Sequence, residues 1–566
     1  MATYYWVNGA GTWDSATTTN WASLSGGSGS AGVPTISDDV VIDTSSGTGN
    51  ITIGTGAVCN NMTANTTTIN LIGSTGTLNV DGNWSSRFGS TSSFTGTLTF
   101  TSSRSNNTIY FATLPSCATN FNGTGAWKLL SNFAAANPTK TARFDQGNLD
   151  LNNFYYGGYG FNSTGSLQRS INFGTSGYIY WPTSTLGNLF FSWNFANCAI
   201  SGTSRVRCVS SATTSASLTI TLSNTTAANC VNFDWAGSTT TTAIYRFVPT
   251  AGAGVRDLDF SEYNGPLYGV STTNLDVYGN LILSSASTAS YFGISPTLKS
   301  PSTDIKIIDF KGKTATFANG IIILGDGTGN GSYSLANTMN VNSFGTINAI
   351  SIWGGTFNAN NYNVIASKTI SLTGDIPRQI IMGNGEWKLS TTSTSGYVSW
   401  DCTNSNNLTV YSNTATINIA PKLSLVSSNV IFIGGNKSWP KIINDSSGIL
   451  IIKGNNSFDN ITTTKANTFI QFEAGSTTNV NTIAINGTSG SLSNISSTVA
   501  GTRFTLNKTG SGVIDTYYLS ILDSNATPSG AIWNAYTTNG NLNLGNNSGW
   551  NFAPYIVSTG NFFLLF

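Results

Sequence analysis

Leu78-Asn79-Val80-Asp81-Gly82-Asn83-Trp84 returns 197 residues later as Leu275-Asp276-Val277-Tyr278-Gly279-Asn280-Leu281. More matches follow in the same order. Gly123-Thr124-Gly125-Ala126-Trp127-Lys128-Leu129 is echoed by Gly329-Asn330-Gly331-Ser332-Tyr333-Ser334-Leu335 at a spacing of 206. Gly147-Asn148-Leu149-Asp150-Leu151-Asn152-Asn153-Phe154 matches Gly355-Thr356-Phe357-Asn358-Ala359-Asn360-Asn361-Tyr362 at 208. Gly165-Ser166-Leu167-Gln168-Arg169-Ser170-Ile171 pairs with Gly374-Asp375-Ile376-Pro377-Arg378-Gln379-Ile380 at 209, and Ser192-Trp193 with Ser399-Trp400 at 207. Unbroken order at nearly constant spacing marks a tandem duplication of one long module. Repeats that hide their apolar faces against one another stack along an axis.

Each module is built from short apolar-alternating runs, such as Ile51-Thr52-Ile53, Ile69-Asn70-Leu71-Ile72 and Leu98-Thr99-Phe100, divided by Gly, Asn and Ser. This pattern predicts an all-β parallel β-helix, or β-solenoid, in which each coil supplies two or three strands. Coils of ~20 to 25 residues would give about 20 of them. Asparagines at turns, as in Asn152-Asn153 and Asn360-Asn361, are expected to stack as amide ladders between coils. A string of immunoglobulin-like sandwiches would instead show two-residue hairpins and a repeat of about 100 residues.

Composition supports an ordered β protein. Charged residues make up 8% of the chain, against about 25% in an ordinary soluble domain. Solubility therefore rests on Ser, Thr, Asn and Gly. Hydrophobic residues at 39% and aromatics at 11% supply a core that a disordered chain lacks. A formal net charge of +1 gives no field to gather nucleic acid, so no nucleic-acid partner is expected. The chain has no histidine. That excludes Ser-His-Asp and Cys-His catalysis and every imidazole metal site. Cys59, Cys117, Cys198, Cys208, Cys230 and Cys402 form no CxxC pair and read as free, buried thiols. No cofactor and no metal are expected.

No run reaches the ~18 apolar residues of a membrane span, and the first residues lack the basic and apolar regions of a secretory signal. Residues 1–45, with Trp6, Trp13 and Trp21, read as an N-terminal cap over the open end of the stack. Residues 46–260 form module A, 261–460 module B, and 461–552 closing coils with a cap at Trp550 and Phe552. Residues 553–566 form an apolar C-terminal tail, and its last stretch, Asn561 to Phe566, reads as a plug against the body or a neighbouring chain ahead of a membrane or insertion role.

Both ends carry a resemblance. Tyr4-Tyr5-Trp6-Val7-Asn8-Gly9-Ala10-Gly11-Thr12-Trp13, with Asn20-Trp21 and the Pro34-Thr35 to Asp39-Val40 segment, resembles the opening of a group of β-rich virion proteins of tailed phages, marine and cyanobacterial ones among them. Tyr518-Leu519-Ser520-Ile521, Ala531-Ile532-Trp533-Asn534-Ala535 and Asn546-Asn547-Ser548-Gly549-Trp550-Asn551-Phe552 resemble the end of the same group. The resemblance implies a right-handed solenoid in a particle-borne tail fibre or tailspike, often a homotrimer, that contacts other virion proteins and a host-surface glycan. It carries over no catalytic residue. A polysaccharide-depolymerising tailspike and a capsid decoration or head fibre are the alternatives.

Candidate site residues come from the chain itself. Arg256-Asp257-Leu258-Asp259-Phe260-Ser261-Glu262-Tyr263 is the densest acidic cluster. In a strand, Asp257 and Asp259 would point the same way about 7 Å apart, the kind of carboxyl pair that cuts glycosidic bonds. The same residues also suit a solvated turn between modules. Asp304, Asp309 and Asp38-Asp39 read more plainly as turn residues. Gly325-Asp326-Gly327-Thr328-Gly329-Asn330-Gly331 lacks the ligand spacing of a calcium loop and the Gly-Lys-Ser/Thr of a phosphate loop, and reads as a turn. Tyr155, Tyr156, Tyr159 and Phe161, in the loop from Phe154 to Phe161, suit either a sugar-stacking platform or a contact between subunits. Trp127, Trp193, Trp387 and Trp400 recur in both modules and read as core.

Overall fold

The structure, a computed structural model, describes residues 1–88, 93–182, 189–210, 216–237, 245–250, 252–263, 267–268, 273–285, 290–292, 294–343, 348–390, 397–420, 429–529 and 531–555. About half the chain is strand and about 1% helix, wound as a parallel β-solenoid of about 19 turns. The chain divides into two compact units, Met1–Ile294 and Ser295–Phe566.

In the first unit each turn visits up to three faces in a fixed order. The first face holds strands from Thr3–Trp6 to Cys198–Ser201. The second begins as Gly11–Trp13, Gly49–Ile53, Ile69–Gly73 and Ser93–Phe94. After a turn without a described strand there, a new sheet takes the same place in the winding order, from Phe133–Ala135 onward. The third face starts at Val58–Cys59 and passes through Thr97–Phe100 and Gly160–Ser163. Val40 pairs with Met62 and Met62 with Trp84, so those turns take 22 residues, whereas Arg169 pairs with Cys198 after 29.

The second unit winds the same way, with Ile305–Asp309, Ser332–Leu335, Gly355–Asn358, Arg378–Ile381 and Leu408–Tyr411 stacked on one face. That face ends at Leu408–Tyr411. The following turns pair the long strands Ser457–Thr463 and Thr477–Ala484 with each other, opposite strands such as Ile449–Lys453.

Alternation builds the core. In Met62-Thr63-Ala64 and Ile69-Asn70-Leu71 the apolar side chains point inward and the Thr and Asn outward, as period-two geometry requires. Aromatic rings then stack between turns, Phe100 on Phe121 at 4.9 Å and Phe161 on Phe191 at 5.0 Å. Trp127, Trp193, Trp387 and Trp400 are all fully buried, in line with a core role.

The duplicated segments fold alike but lie in different sheets, the first copy in the ten-stranded sheet and the second in the twelve-stranded one. Gly147–Asp150 and Gly355–Asn358 are strands followed on the next turn by Arg169–Asn172 and Arg378–Ile381. Corner geometry repeats as well: Asn152 and Asn153 have φ of 48° and 70°, Asn360 and Asn361 of 49° and 65°. Asparagine tolerates this left-handed region because its short amide bonds locally. Gly147 and Gly355 also have positive φ, and a Cβ at either would meet a main-chain carbonyl oxygen at 2.4 or 2.6 Å.

Asparagine does join the turns, but not by stacking on itself at these corners. Asn152 Nδ2 donates to the Leu129 carbonyl, and Asn360 Nδ2 to the Leu335 carbonyl, both at 3.0 Å. The true ladder lies elsewhere. Asn61 donates to Asp39 Oδ1 at 2.8 Å, Asn83 donates its main-chain NH to Asn61 Oδ1 at 2.8 Å, and Thr108 donates its own to Asn83 Oδ1 at 2.7 Å. Strand ends leave main-chain NH groups to satisfy, and a side-chain oxygen one turn away does it.

Near the start of the chain Trp6, Trp13 and Trp21 are fully buried, with Trp21 edge-on to Trp6 at 4.9 Å and to Trp13 at 5.2 Å. Trp21–Ala22 pairs antiparallel with Thr3–Trp6, which occupies an edge that would otherwise be open to another strand. In the last turns Trp533 packs on Trp550 at 5.0 Å, while Phe552 is only half-buried. The tail from residue 556 lies outside the described residues. Among the described residues no helix is long and apolar enough to cross a membrane.

Candidate functional site: an aromatic and charged strip on the second face

Five consecutive turns of the first unit assemble this strip. In the strand Tyr155–Gly158, Tyr155 points outward and Tyr156 inward. The next turn supplies Tyr178–Pro182, with Tyr178 and Tyr180 outside and Ile179 and Trp181 inside. Arg205–Ser210 follows, with Val206 and Cys208 buried and Arg205 and Arg207 outward. Register brings Gly157, Tyr180, Arg207, Asp234 and Asp259 into one column. The aromatic loop and the acidic cluster thus meet on one face, about 100 residues apart in sequence.

The three outward tyrosines touch. Tyr155 lies 5.3 Å from Tyr178 and 4.9 Å from Tyr180, ring centre to ring centre, with tilts of 35° and 38°. A Cβ at Gly157 would meet the Tyr180 carbonyl oxygen at 1.8 Å. The missing side chain lets the turns close and leaves room for the rings above. Burial among its aromatic neighbours pushes the Tyr180 phenol up to about 12 and raises Tyr155 and Tyr178 in the same direction.

Beside the rings lies an ion-pair network. Arg205 holds Asp234 with two bonds, Nε to Oδ1 at 2.5 Å and Nη2 to Oδ2 at 2.8 Å. Arg207 approaches the same carboxylate, Nη1 to Oδ2 at 3.4 Å, and also pairs with Glu262. Burial pushes the Asp234 carboxyl up, and the two guanidinium groups pull against that shift. A bulge places Glu262. Asp234 pairs with Asp259 but Ala236 with Glu262, so the second strand carries one extra residue and both Ser261 and Glu262 face solvent.

Other expected residues fall differently. Tyr156 and Phe161 are fully buried, because strand alternation sends them into the core and not onto a binding surface. Tyr156 Oη is held there, donating to the Arg143 carbonyl at 2.7 Å and lying 3.1 Å from Thr119 Oγ1. Tyr159 is half-buried at the margin of the strip, and its carbonyl accepts from Trp181 Nε1 at 3.1 Å. Asp257 precedes the strand Leu258–Tyr263, and its Oδ1 accepts the Asn280 NH at 2.6 Å, so it works as a corner acceptor. Asp259 Oδ1 accepts the Ser261 NH at 2.7 Å.

The remaining acidic candidates close turns. Asp326 accepts from the NH of Thr328 at 2.8 Å and of Asn330 at 3.1 Å, and from both side chains. These bonds hold its carboxyl down at about 2. Asp38 accepts from Thr35 and Ala2, Asp39 opens the amide ladder, and Asp309 pairs with Lys311 at 2.7 Å. Asp304 is exposed. Among the described residues no three His, Cys, Asp or Glu side chains gather to hold an ion.

Tyr178, Tyr180, Arg205, Arg207 and Asp234 were not singled out from the sequence. A period-two reading of Tyr178-Ile179-Tyr180-Trp181 and Arg205-Val206-Arg207-Cys208 places Tyr and Arg outward, but only stacking shows that they adjoin. Chemically, tyrosine faces offer apolar planes and the paired ions offer directional donors and acceptors. Compared with known proteins, the chain matches no family model, no curated protein and no solved structure.

Proposed function

We propose that this chain is a structural protein of a tailed-phage particle, a stiff tail-fibre or tailspike appendage that mediates attachment to the host surface. The observation that carries the reading is the parallel ladder that runs turn after turn in both units, in a chain of which only 8% of the residues are charged. Main-chain bonds along the winding axis resist bending, and a surface of hydroxyls and amides keeps its contacts insensitive to salt. The resemblance at both ends supplies the particle context. Such an appendage works in several copies, a trimer in this reading, so that modest contacts add up. Other virion proteins hold it, and a host glycan receives it.

Gold-labelled antibody against the chain should decorate purified particles at the tail. Label on the head would favour a capsid decoration or head fibre, and unlabelled particles would end the reading. The gathering of Asp234, Asp259 and Glu262 on one face favours a second reading, a tailspike that cuts polysaccharide. Release of reducing sugar from host capsule or lipopolysaccharide, lost in Asp259→Asn, would establish it over passive adhesion.

A further inference from the structure

We infer that the outward strip from Tyr155 to Asp259 is a subsite for a neutral oligosaccharide lying along the winding axis. The inference rests on the attachment reading and gives it a ligand class.

Shape comes first. The strip crosses four strand spacings of about 4.8 Å, so it is about 19 Å long. It is flat, since it lies on one parallel sheet. An extended chain of rings fits such a surface better than a compact ligand, which needs an enclosed cavity.

The order of groups along it supplies the chemistry. At one end Tyr155, Tyr178 and Tyr180 present half-buried rings, and among the described residues none of their phenol oxygens is engaged by the protein. Tyr156, one position on, spends its hydroxyl on Thr119 and Arg143. Outward tyrosines therefore keep both a stacking face and a hydroxyl for a ligand. At the other end the Arg205–Asp234 pair is fixed by two bonds, so its remaining donors and acceptors are already oriented. Sugar recognition uses this pairing of an apolar ring face with polar groups that meet the ring's hydroxyls edge-on.

Charge decides the class. Arg205 and Arg207 are matched against Asp234, Asp259 and Glu262, an excess of one carboxylate, and both guanidinium groups are already paired. A uronate or sulfate on the ligand would meet no unpaired cation and an extra anion. The rest of the chain carries few charges to offset this. A neutral glycan faces no such penalty.

Full-length protein should be applied to an immobilised panel of neutral hexose and N-acetylhexosamine oligomers alongside uronate- and sulfate-bearing ones. Tyr178 and Arg207 are half-buried with their side chains turned outward, so Tyr178→Ala and Arg207→Ala leave the inward core untouched, which a thermal melt of each variant verifies. Tyr517→Ala, exposed in the other unit, is the control. The expected result is retention of neutral oligomers, weakened about tenfold or more by Tyr178→Ala and Arg207→Ala and unchanged by Tyr517→Ala. Retention of charged oligomers alone, no retention, or equal retention by all variants would overturn the inference. Competition for adsorption of particles to host cells separates the two layers. If the wild-type chain and Tyr178→Ala compete equally, the subsite is wrong and attachment stands. If neither competes, the attachment reading itself fails.

Discussion

Arg169 and Arg378 open equivalent strands of the duplicated module, Arg169–Asn172 in the ten-stranded sheet and Arg378–Ile381 in the twelve-stranded one. Each is 3% exposed, and each hands its guanidinium to main-chain carbonyls, with no carboxylate among the described residues bonded to it. Arg169 Nη2 donates to Asn194 at 2.6 Å and Ala196 at 3.0 Å; Arg378 donates to Asn404 at 2.6 Å and Asn406 at 2.7 Å. Both Nε atoms are buried, with no partner among the described residues. Removing water from a cation is costly, and it lowers the Arg378 pKa. Converging carbonyls compensate, and they tie the corner of one turn to the loop of the next.

Replacing Arg378 by Met keeps most of the volume and strands those carbonyls. A loss of about 3 kcal/mol in unfolding free energy is expected, read as a lower urea midpoint, with Arg378→Lys recovering part of it. A Met variant as stable as wild type would show that the corner does not depend on the guanidinium.

Neighbouring tyrosines should behave oppositely. Tyr156→Phe removes a buried hydroxyl from Thr119 and Arg143 and should cost about 1 to 2 kcal/mol. Tyr178→Phe, which removes an outward hydroxyl that no described residue engages, should lose roughly 0.5 kcal/mol or less. Thermal melts of the two variants decide it, and a reversed order would contradict the inward and outward assignment.

Acid should expose the Asp326 turn. Its carboxyl lies at about 2, below the ordinary aspartate value of 3.8, so its stabilising effect is fully present above pH ~4. The effect fades as pH falls and is gone below about 2. Asp326→Asn should therefore weaken the turn at neutral pH and remove its pH dependence in that window. A carboxyl carbon resonance of Asp326 that titrates near 4 would refute the turn geometry.

Thiol reagents should find nothing in the native protein. All six cysteines are free and buried, and burial raises every thiol, to about 12 at Cys117 and about 11 at Cys230 and Cys402. Little thiolate is present at neutral pH, and the sulfurs are screened from reagent. A disulfide-forming dye should report no groups before unfolding and six afterwards. Fast labelling of any one would place it at the surface.

Local alternation made the solenoid legible. Ile69-Asn70-Leu71 reads as one buried and one exposed side without any knowledge of its neighbours, and the recurrence of Gly147 to Asn153 at Gly355 to Asn361 shows a corner used twice. The same logic, carried further, would have removed Tyr156 and Phe161 from the binding surface, since residues next to outward side chains point inward. Asp257 was beyond that logic, because a strand boundary moved by one residue turns a surface acid into a corner acceptor.

Period-two patterning is a property of a few adjacent residues, so all-β winding, the free thiols and the tryptophan core could be read from the chain alone. Which side chains become neighbours across turns is set by the length of each intervening loop. Tyr180 meets Arg207 after 27 residues, Arg207 meets Asp234 after 27, and Asp234 meets Asp259 after 25. One residue more or less in any of those turns, or the absence of the bulge before Glu262, would send the column to another partner or turn it inward. No local rule specifies those lengths, and only folding shows that the strip exists.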